Sequence, residues 1–470
     1  FRTTKIRRNS VSREKPIIVL EFNELCPRLI KQFMDAGELP NFKALYQQSE
    51  IFHTDAGEEP PNLEPWIQWV TVHTGLPFDK HQVFNLDDGH KLGHQQIWDV
   101  VAESGKTVWI CGSMNAKAGV DEPGYLLPDP WSRHAESHPQ GEFDDYVRFV
   151  RRQVQDHTNR DSGSHLGDTF RFLKFMVSHG LSVHTLWCIA RQLVTEKISG
   201  RFHWRRASIL DCLQWDVFRW YFRKHRPHFS TFFANSTAHF QHMYWRNMDP
   251  SNFSVQPTDE EQQNFEHAVL FGYQAMDRLV GESMRLAGDD ASIVLCTALS
   301  QQPCLDYEDI GGKQIYRPTN VEDFVSFVGI QPGYDCSPLM SEEFLLRFST
   351  EASAVAAESL LSGVVVDGRP AIRVRREGSE LIFGCGIVES VADSARLTAD
   401  GHSADFKDFF YRFEAPKSGM HHPDGLLWIR QPGRQHRKAD EKVCLTAIAP
   451  TLLALLDIEA PRSMETGRLD

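Results

Sequence analysis

The chain has 470 residues, of which 41% are hydrophobic and 24% are charged, a composition typical of a globular protein with one large α/β domain or with two or three domains. Its formal net charge of -13 provides no attraction to a phosphate backbone, so we expect no nucleic-acid partner. A membrane-spanning helix needs about 18 or more consecutive apolar residues, and because no segment of the sequence approaches that length, we expect no membrane span.

The predicted elements begin after a basic, polar stretch at 1–15, for which we predict a flexible tail. A helical apolar pattern covers 92–104, and the best helix prediction covers 258–287, where Thr258 and Glu261 form a capping box. Four apolar runs of the buried-strand type lie between helical patterns: PIIVLEF at 16–22, KTVWIC at 106–111, HFSTFFAN at 228–235 and ASIVLC at 291–296. Strands that alternate with helices predict an α/β fold with a mainly parallel central sheet sandwiched by helices.

Two regions interrupt this alternation, and we interpret both as insertions into one α/β domain over 16–470. Residues 136–226 are helical in pattern, aromatic and basic, and predict a helical cap. Residues at about 314–417 contain a β-α-β-β pattern and predict a small α+β insertion. The aromatic and basic stretch within the cap has apolar residues at helical spacing, which favours a core role over nucleic-acid binding: Trp204, Ile209, Leu213, Val217 and Trp220.

Polar residues that follow the apolar runs are the candidates for function, because ligands bind beyond the carboxyl ends of parallel strands. The spacing of His239 and His242 puts both on one face of a helix, where they could share a metal ion. Glu21 lies inside a buried strand, where a carboxylate is costly unless it is paired or functional. Further candidates lie at the strand ends: Asn23, Glu24, Asn62, Glu64, Gln301, His421 and His422.

Four motifs follow one another along the chain: VLEFNELCPRLI, WVTVHTGLPFDKHQVF, AHFQHMYWRNMDP, and HHPDGLLWIRQPG with IAPTLLALLDIEAP. Together they resemble the alkaline phosphatase superfamily, in particular its nucleotide pyrophosphatase/phosphodiesterase branch. The resemblance implies that family's α/β fold and hydrolysis or transfer at a phosphate or sulfate ester. It also implies chemistry in which two metal ions, usually zinc, flank a Thr or Ser nucleophile.

The sequence departs from the family pattern at most of the functional positions. His242 and His421 match metal-binding histidines, but the segment 55–70, where the nucleophile should lie, contains no Ser, Thr or Cys. Four metal-ligand positions carry residues that bind metal weakly or not at all: Asn23, Ala238, Ala298 and Leu299. We therefore expect at most one divalent cation, zinc or manganese. The sequence favours a site without metal over a site with two metal ions.

For an ester-cleaving enzyme of this kind we predict His242 and His421 as the metal ligands. Glu64 would activate water in place of the missing hydroxyl, and Asn23 would orient the substrate. Glu21 completes the predicted catalytic group, because carboxylates that share a closed pocket shift each other's pKa values apart. The predicted substrate-binding residues are Asn62, His239 and His422.

Two alternatives remain open at this point. The first is a metal-independent enzyme of the same fold that acts on a glycan, with Glu21, Glu24 or Glu64 as acid and base. The second is a non-catalytic protein that binds a ligand in the inherited pocket. In each case the expected partner is a small molecule or a glycan-type ester, and the oligomeric state is open. The nine scattered cysteines, most of them inside apolar runs, indicate a reducing compartment, and we expect a cytoplasmic protein.

Overall fold

An eight-stranded sheet lies at the centre of the computed structural model, which describes residues 15–117, 123–132, 134–156, 166–339, 342–413, 415–464 and 466–469. Residues 1–14, which hold nearly all of the predicted tail, lie outside the described residues. The strands, in chain order, are β1 (Ile17–Phe22), β2 (Glu50–Asp55), β3 (Val108–Cys111), β4 (Gly124–Leu127), β5 (Phe229–Ala234), β6 (Ser292–Cys296), β7 (Ser300–Pro303), β8 (Tyr316–Pro318), β9 (Tyr334–Pro338), β10 (Glu343–Phe348), β11 (Val365–Val366), β12 (Arg369–Pro370), β13 (Ile372–Glu377), β14 (Glu380–Cys385), β15 (Arg396–Ala399), β16 (His402–Asp405), β17 (Phe410–Arg412), β18 (Gly419–His422), β19 (Asp424–Arg430) and β20 (Arg437–Cys444).

Helices connect most of the strands of the central sheet. The α-helices, in chain order, are α1 (Pro27–Asp35), α2 (Pro40–Tyr46), α3 (Pro65–Thr74), α4 (Phe78–His81), α5 (Ile97–Glu103), α6 (Asp144–Asp156), α7 (Leu166–Ser178), α8 (Val183–Ser199), α9 (Arg206–His225), α10 (Ser236–Met248), α11 (Asp259–Phe265), α12 (Ala268–Ala287), α13 (Val321–Val328), α14 (Glu351–Ser362), α15 (Phe406–Phe409) and α16 (Ile448–Ala454). Within the described residues, none of the helices combines the length and the apolar content needed to cross a bilayer.

The central sheet has the strand order β20-β2-β19-β6-β1-β5-β3-β4. Every neighbouring pair is parallel except the two that involve β19, which runs antiparallel to β6 and to β2. This arrangement confirms the predicted mainly parallel sheet. All six residues of β1 are buried, because the strand lies between β5 and β6 and its side chains enter the apolar layers on both faces.

The direction of β19 decides where the functional residues meet. The parallel strands β1, β5 and β6 end at one edge of the sheet, and the loops that follow them lie there. Because β19 runs the other way, its beginning and the preceding strand β18 lie at the same edge. Residues from the start, middle and end of the chain are brought together in this way.

The described part of 136–226, the region predicted as a helical cap, contains four helices, α6 to α9. Its role as a cap stays a prediction. Three of the predicted core residues of this region, Trp204, Leu213 and Val217, are buried, while Ile209 and Trp220 are partly buried and pack against the same cluster. The core role predicted for them is confirmed.

The region predicted as the second insertion has its own apolar core beneath a four-stranded sheet of order β13-β14-β10-β9, and we keep the name second insertion for it. It contacts a loop of the main domain through Arg347 of β10. The Nη2 atom of Arg347 lies 2.9 Å from Oδ2 of Asp87, and its Nε lies 2.9 Å from Oε1 of Glu380. Because Asp87 is buried, this ion pair fixes the insertion against the loops of the main domain.

We expect Arg347→Met to lower the free energy of unfolding by about 2–3 kcal/mol, because the change leaves the buried carboxylate of Asp87 without its guanidinium partner. The measurement is urea unfolding of the full chain. Arg376→Met is a matched control, since Arg376 lies in the same insertion and pairs with the more exposed Glu351 and Glu358. Its expected loss is below about 1 kcal/mol, and equal losses in both variants would contradict the role of Arg347.

Candidate functional site

Three elements place ionisable side chains at the carboxyl edge of the sheet. The turn after β1 holds Asn23 and Glu24, and Glu24 adopts a φ of 59°, in the left-handed region that few non-glycine residues occupy. Helix α10, which follows β5, carries His242. Strand β18 carries His421, which lies opposite Gln301 of β7.

Glu24, His242 and His421 form a compact cluster. Oε2 of Glu24 lies 3.0 Å from Nε2 of His242 and 3.6 Å from Nε2 of His421. One potential ligand atom from each residue lies within 4.8 Å of the other two, as in a metal site. The Glu24 side chain is buried, whereas the two imidazoles remain partly exposed at 20% and 14% of their surface. The cluster therefore combines a buried anion with two nitrogen ligands that solvent can reach.

Backbone carbonyl groups set the orientation of both imidazole rings. Nδ1 of His242 lies 3.0 Å from the carbonyl oxygen of Gly419, which can only accept, so Nδ1 carries the proton of this bond. His421 hydrogen-bonds the backbone of Leu63. A neutral His242 in this tautomer presents the lone pair of Nε2 to the Glu24 carboxylate. Because the carboxylate oxygen also carries lone pairs, a proton or a cation between the two atoms stabilises this arrangement.

Gly419 is required for this geometry because the backbone approaches its neighbours closely. A Cβ atom at this position would lie 2.3 Å from Oε1 of Gln301 and 2.4 Å from the carbonyl oxygen of Gln241. Only glycine allows β18 to lie close enough to α10 for the Gly419 carbonyl to accept the bond from His242.

The Glu24 carboxylate is held by two side-chain amides. Nε2 of Gln301 donates to Oε2, and Nδ2 of Asn23 donates to Oε1 at 2.9 Å. Burial alone would raise the pKa of Glu24, but attraction to His242 and His421 in their protonated forms, together with the hydrogen bonds from His242 and Gln301, outweighs it and lowers the pKa to about 2. Glu24 is therefore an anion at neutral pH.

Asn23 is the residue at which the sequence resemblance implies an acidic metal ligand. Its Oδ1 accepts a bond of 2.8 Å from Nε1 of Trp69, and its Nδ2 also donates to Oδ1 of Asn235 at 2.8 Å. The Asn23 amide is thus already hydrogen-bonded and orients Glu24. The carboxylate in the cluster comes from the next residue along the chain, Glu24.

Glu64 lies next to the cluster, at the N-cap of α3, where the resemblance places the nucleophile. Its Oε2 lies 3.5 Å from Nδ1 of His421. The side chain of Glu64 is partly buried, with 31% of its surface exposed. Desolvation by its surroundings raises its pKa to about 8, with Glu24 and Glu343 adding to the effect while Lys417 and Lys313 oppose it. The side chain can therefore hold a proton at neutral pH beside an ionised neighbour.

Glu21, predicted as catalytic, occupies a different environment. Its carboxylate lies 2.9 Å from Nε2 of His73 and accepts a bond of 2.6 Å from Oγ of Ser113. These partners compensate for a carboxylate on a fully buried strand, so its contacts explain its presence without catalysis.

The three predicted substrate-binding residues contact other groups. Nδ2 of Asn62 lies 3.2 Å from Oε2 of Glu58, and Nδ1 of His422 accepts from the backbone N–H of Asp424 at 3.1 Å. His239 is exposed on α10, one turn before His242. Their roles toward a substrate stay predictions.

The other family ligand positions offer no side-chain ligand in this structure. Ala298 and Leu299 are fully buried apolar residues after β6. Ala238 is also buried, and its carbonyl oxygen accepts a bond of 3.0 Å from Nε2 of Gln301.

A second group with metal-ligand spacing lies at the junction with the second insertion. It contains Asp87, His90 and His134. Oδ2 of Asp87 is already paired with Arg347 and with Nδ1 of His134, both at 2.9 Å. A guanidinium at this distance opposes a further cation, so the cluster around Glu24 is the better metal site.

The sequence named Glu24 only as one of three possible acid or base residues of the glycan-acting alternative and did not predict it as a metal ligand. Gln301 was a strand-end candidate without a specific role, and Gly419 was not a candidate. The adjacent pair Asn23-Glu24 directly after a buried strand was an available signal for Glu24. Gly419 is followed, after one residue, by two histidines, but a close approach of two backbones has no sequence signature of its own.

No protein-family model matches the chain, and no curated protein matches it. Solved structures that are similar to it include human ectonucleotide pyrophosphatase/phosphodiesterase 5, with 10% identity, 95% of this chain and 96% of that chain covered, and a TM-score of 0.43. A variant of the alkaline phosphatase PafA has 11% identity, coverage of 98% and 99%, and a TM-score of 0.47. Phosphonoacetate hydrolase from Sinorhizobium meliloti in complex with phosphonoacetate has 12% identity, coverage of 94% and 95%, and a TM-score of 0.41.

The raised pKa of Glu64 predicts a pH-dependent effect of Glu64→Gln in metal-free protein. Between about pH 4 and 8 the unfolded chain releases this proton and the folded chain retains it, so the wild type loses stability relative to the variant as the pH rises. The difference in unfolding free energy between the wild type and the variant grows by at most about 1.4 kcal/mol per pH unit. It levels off above about pH 8, the pKa of Glu64 in the folded protein.

Urea unfolding in the presence of a chelator, repeated across this pH range, measures the difference. Glu59→Gln is the matched control, because Glu59 is an exposed carboxylate of the same loop. A Glu64→Gln difference that stays constant with pH would contradict the burial of this carboxyl group.

Proposed function

We propose that the protein is a hydrolase of phosphate or sulfate esters that uses one divalent cation held by Glu24, His242 and His421. The observation that carries this proposal is the spacing of the ligand atoms. A tetrahedral zinc site with bonds of about 2.0–2.1 Å separates its ligand atoms by about 3.3–3.4 Å. The two distances from Oε2 of Glu24, 3.0 and 3.6 Å, lie on either side of this value.

The chemistry of the donor set also fits a catalytic metal. Two imidazoles and one carboxylate leave at least one coordination position for water or substrate, as catalytic zinc sites do. The hydrogen bonds from His242 to Gly419 and from His421 to Leu63 supply the outer contacts that fix the rings of metal-binding histidines. Manganese and ferrous iron suit the same donors, so the identity of the metal is a matter for measurement.

The protein's own groups then have distinct tasks. A bound cation would supply Lewis acidity toward the ester oxygens and a lowered pKa for water. Glu64 holds or accepts a proton at Oε2, beside His421, which suits a general acid or base at the place of the missing hydroxyl nucleophile. Lys417 and Lys313, whose charges act on Glu64, would attract the anionic ester group.

The reaction class rests on the sequence motifs that resemble the alkaline phosphatase superfamily. The departures from the family pattern support a single-metal variant, since Ala238, Ala298 and Leu299 supply no side-chain ligand. The expected substrate is a small molecule.

We also propose a reducing, cytoplasmic location, because the nine cysteines are free and six of them are buried.

Metal titration of the purified full chain tests the centre directly. After treatment with a chelator, we expect calorimetric titration with zinc, manganese or ferrous iron to show one site per chain. Glu24→Gln and His242→Ala each remove a ligand and should weaken binding by at least about a hundredfold. His267→Ala is the control, because His267 is a highly exposed histidine on another part of the surface. A wild type that binds none of the three metals would contradict the proposal.

Activity separates the proposed function from its alternatives. With the metal bound, we expect hydrolysis of p-nitrophenyl phosphate, bis-p-nitrophenyl phosphate or p-nitrophenyl sulfate, and Glu64→Gln should slow it by about 10²–10⁴-fold. Metal-independent cleavage of p-nitrophenyl glycosides that Glu64→Gln abolishes would favour the glycan enzyme. Tight metal binding without turnover of any of these compounds would favour a ligand-binding protein.

A further inference from the structure

Exposed apolar side chains concentrate on two helices of the cap. Nine of the twelve large hydrophobic residues that are exposed in the described structure lie on α7 and α8, which are joined by residues 179–182. We refer to these helices and their connection as the α7–α8 hairpin. The nine residues are Phe170, Leu173, Val177, Val183, Leu186, Trp187, Leu193, Val194 and Ile198. So strong a concentration marks a surface that contacts something other than water.

Helix α8 has its polar side buried and its apolar side exposed, the reverse of an ordinary surface helix. The residues that it buries include Thr185, Gln192 and Glu196. By contrast, Val183 and Ile198 are 82% and 81% exposed. The exposed apolar residues recur every three or four positions and therefore form one stripe along the helix.

Hydrogen bonds on the inner side fix α8 in this orientation. Oε1 of Glu196 accepts a bond of 2.8 Å from Nε2 of Gln192 and one of 2.7 Å from Nε of Arg206. Gln192 also donates to the backbone carbonyl of Phe202 at 2.8 Å. Rotation of the helix to bury its apolar stripe would break these bonds and leave Glu196 without its partners.

The charge of this region is opposite to that of the whole protein. Residues 166–206 contain seven Lys and Arg residues and two acidic residues, a net charge of +5 in a chain of -13. Both acidic residues are paired, Asp168 with Arg152 at 2.8 Å and Glu196 with Arg206. The hairpin itself, residues 166–199, carries a net charge of +2 from four basic and two acidic residues, and the three arginines at 201–206 follow it directly. The apolar stripes therefore lie in a basic region.

We propose that the α7–α8 hairpin docks on the surface of a lipid bilayer that contains anionic headgroups. Helices with Trp, Phe and Leu on one face and Lys and Arg around it lie in the membrane interface, where apolar burial and headgroup attraction act together. A second copy of the chain fits less well, because a two-fold interface would place two surfaces of net positive charge against each other. The proposal rests on this surface and is independent of the ester chemistry.

Co-sedimentation of the full chain with vesicles tests the proposal. We expect the protein to pellet with vesicles of phosphatidylcholine and phosphatidylglycerol in equal amounts, and much less with phosphatidylcholine alone. The double variant Trp187→Ser, Ile198→Ser should reduce binding by more than about tenfold, because two exposed apolar anchors are removed. Lys174→Glu and Lys197→Glu should each reduce binding by at least about fivefold, and added salt should act in the same direction.

The substitutions are at exposed positions, so an unchanged melting temperature verifies folding. Val355→Ser, which removes an exposed apolar residue from α14 in the other insertion, should bind as the wild type does. Equal binding to both kinds of vesicle would contradict the role of the basic residues. Hairpin variants that bind like the wild type, or a wild type that binds no vesicles, would overturn the proposal. So would a dimer in sedimentation velocity that Trp187→Ser dissociates while vesicle binding is absent.

Discussion

A buried, ionised carboxylate is the constraint on which the site depends. A charge removed from water at the end of a central strand is stable only when cations and hydrogen-bond donors surround it. Glu24 obtains them from two imidazoles and two side-chain amides that belong to four different parts of the chain. Any arrangement of β7, β18 and α10 that moved these groups away would leave the charge uncompensated. The same requirement explains why neutral Asn stands at position 23, since a second acid there would face the first.

The fold meets this requirement through one reversed strand. In an all-parallel sheet, the segment before a strand lies at the edge opposite to the functional loops. Because β19 is antiparallel to both neighbours, the preceding strand β18 lies at the carboxyl edge of the sheet, beside α10. The second insertion adds long-range charge to the site, as Glu343 at the start of β10 adds to the rise in the pKa of Glu64 that burial causes. The site is thus assembled from both the main sheet and an element inserted into it.

Particular residues show how far the sequence could predict this structure. The apolar runs of β1, β5 and β6 indicated buried parallel strands because each is bordered by helical patterns, and the sheet confirms this. The run LLWIR in β19 gave no indication of its direction, since apolar periodicity is the same in both directions. His242 and His421 were found through family motifs, and the structure places them side by side. Glu24 was a candidate acid or base, but its contact with the two histidines was not predicted, because that contact depends on a left-handed backbone conformation and on Gln301 across the site. The environment of Glu64 depends on Lys417 and Glu343, which are distant in sequence.

The left-handed conformation of Glu24 has a cost that its side chain offsets. A residue with a Cβ atom loses about 1–2 kcal/mol in this region, whereas glycine occupies it without strain. Replacement by glycine would relax the backbone, but it would also leave Gln301, Asn23 and His242 without the carboxylate that they contact. Because the lowered pKa of Glu24 means that the folded state favours its charged form, the ionised side chain contributes to the stability of the fold at neutral pH. The same carboxylate that is available to a cation therefore also holds β7, β18 and α10 together when no cation is bound.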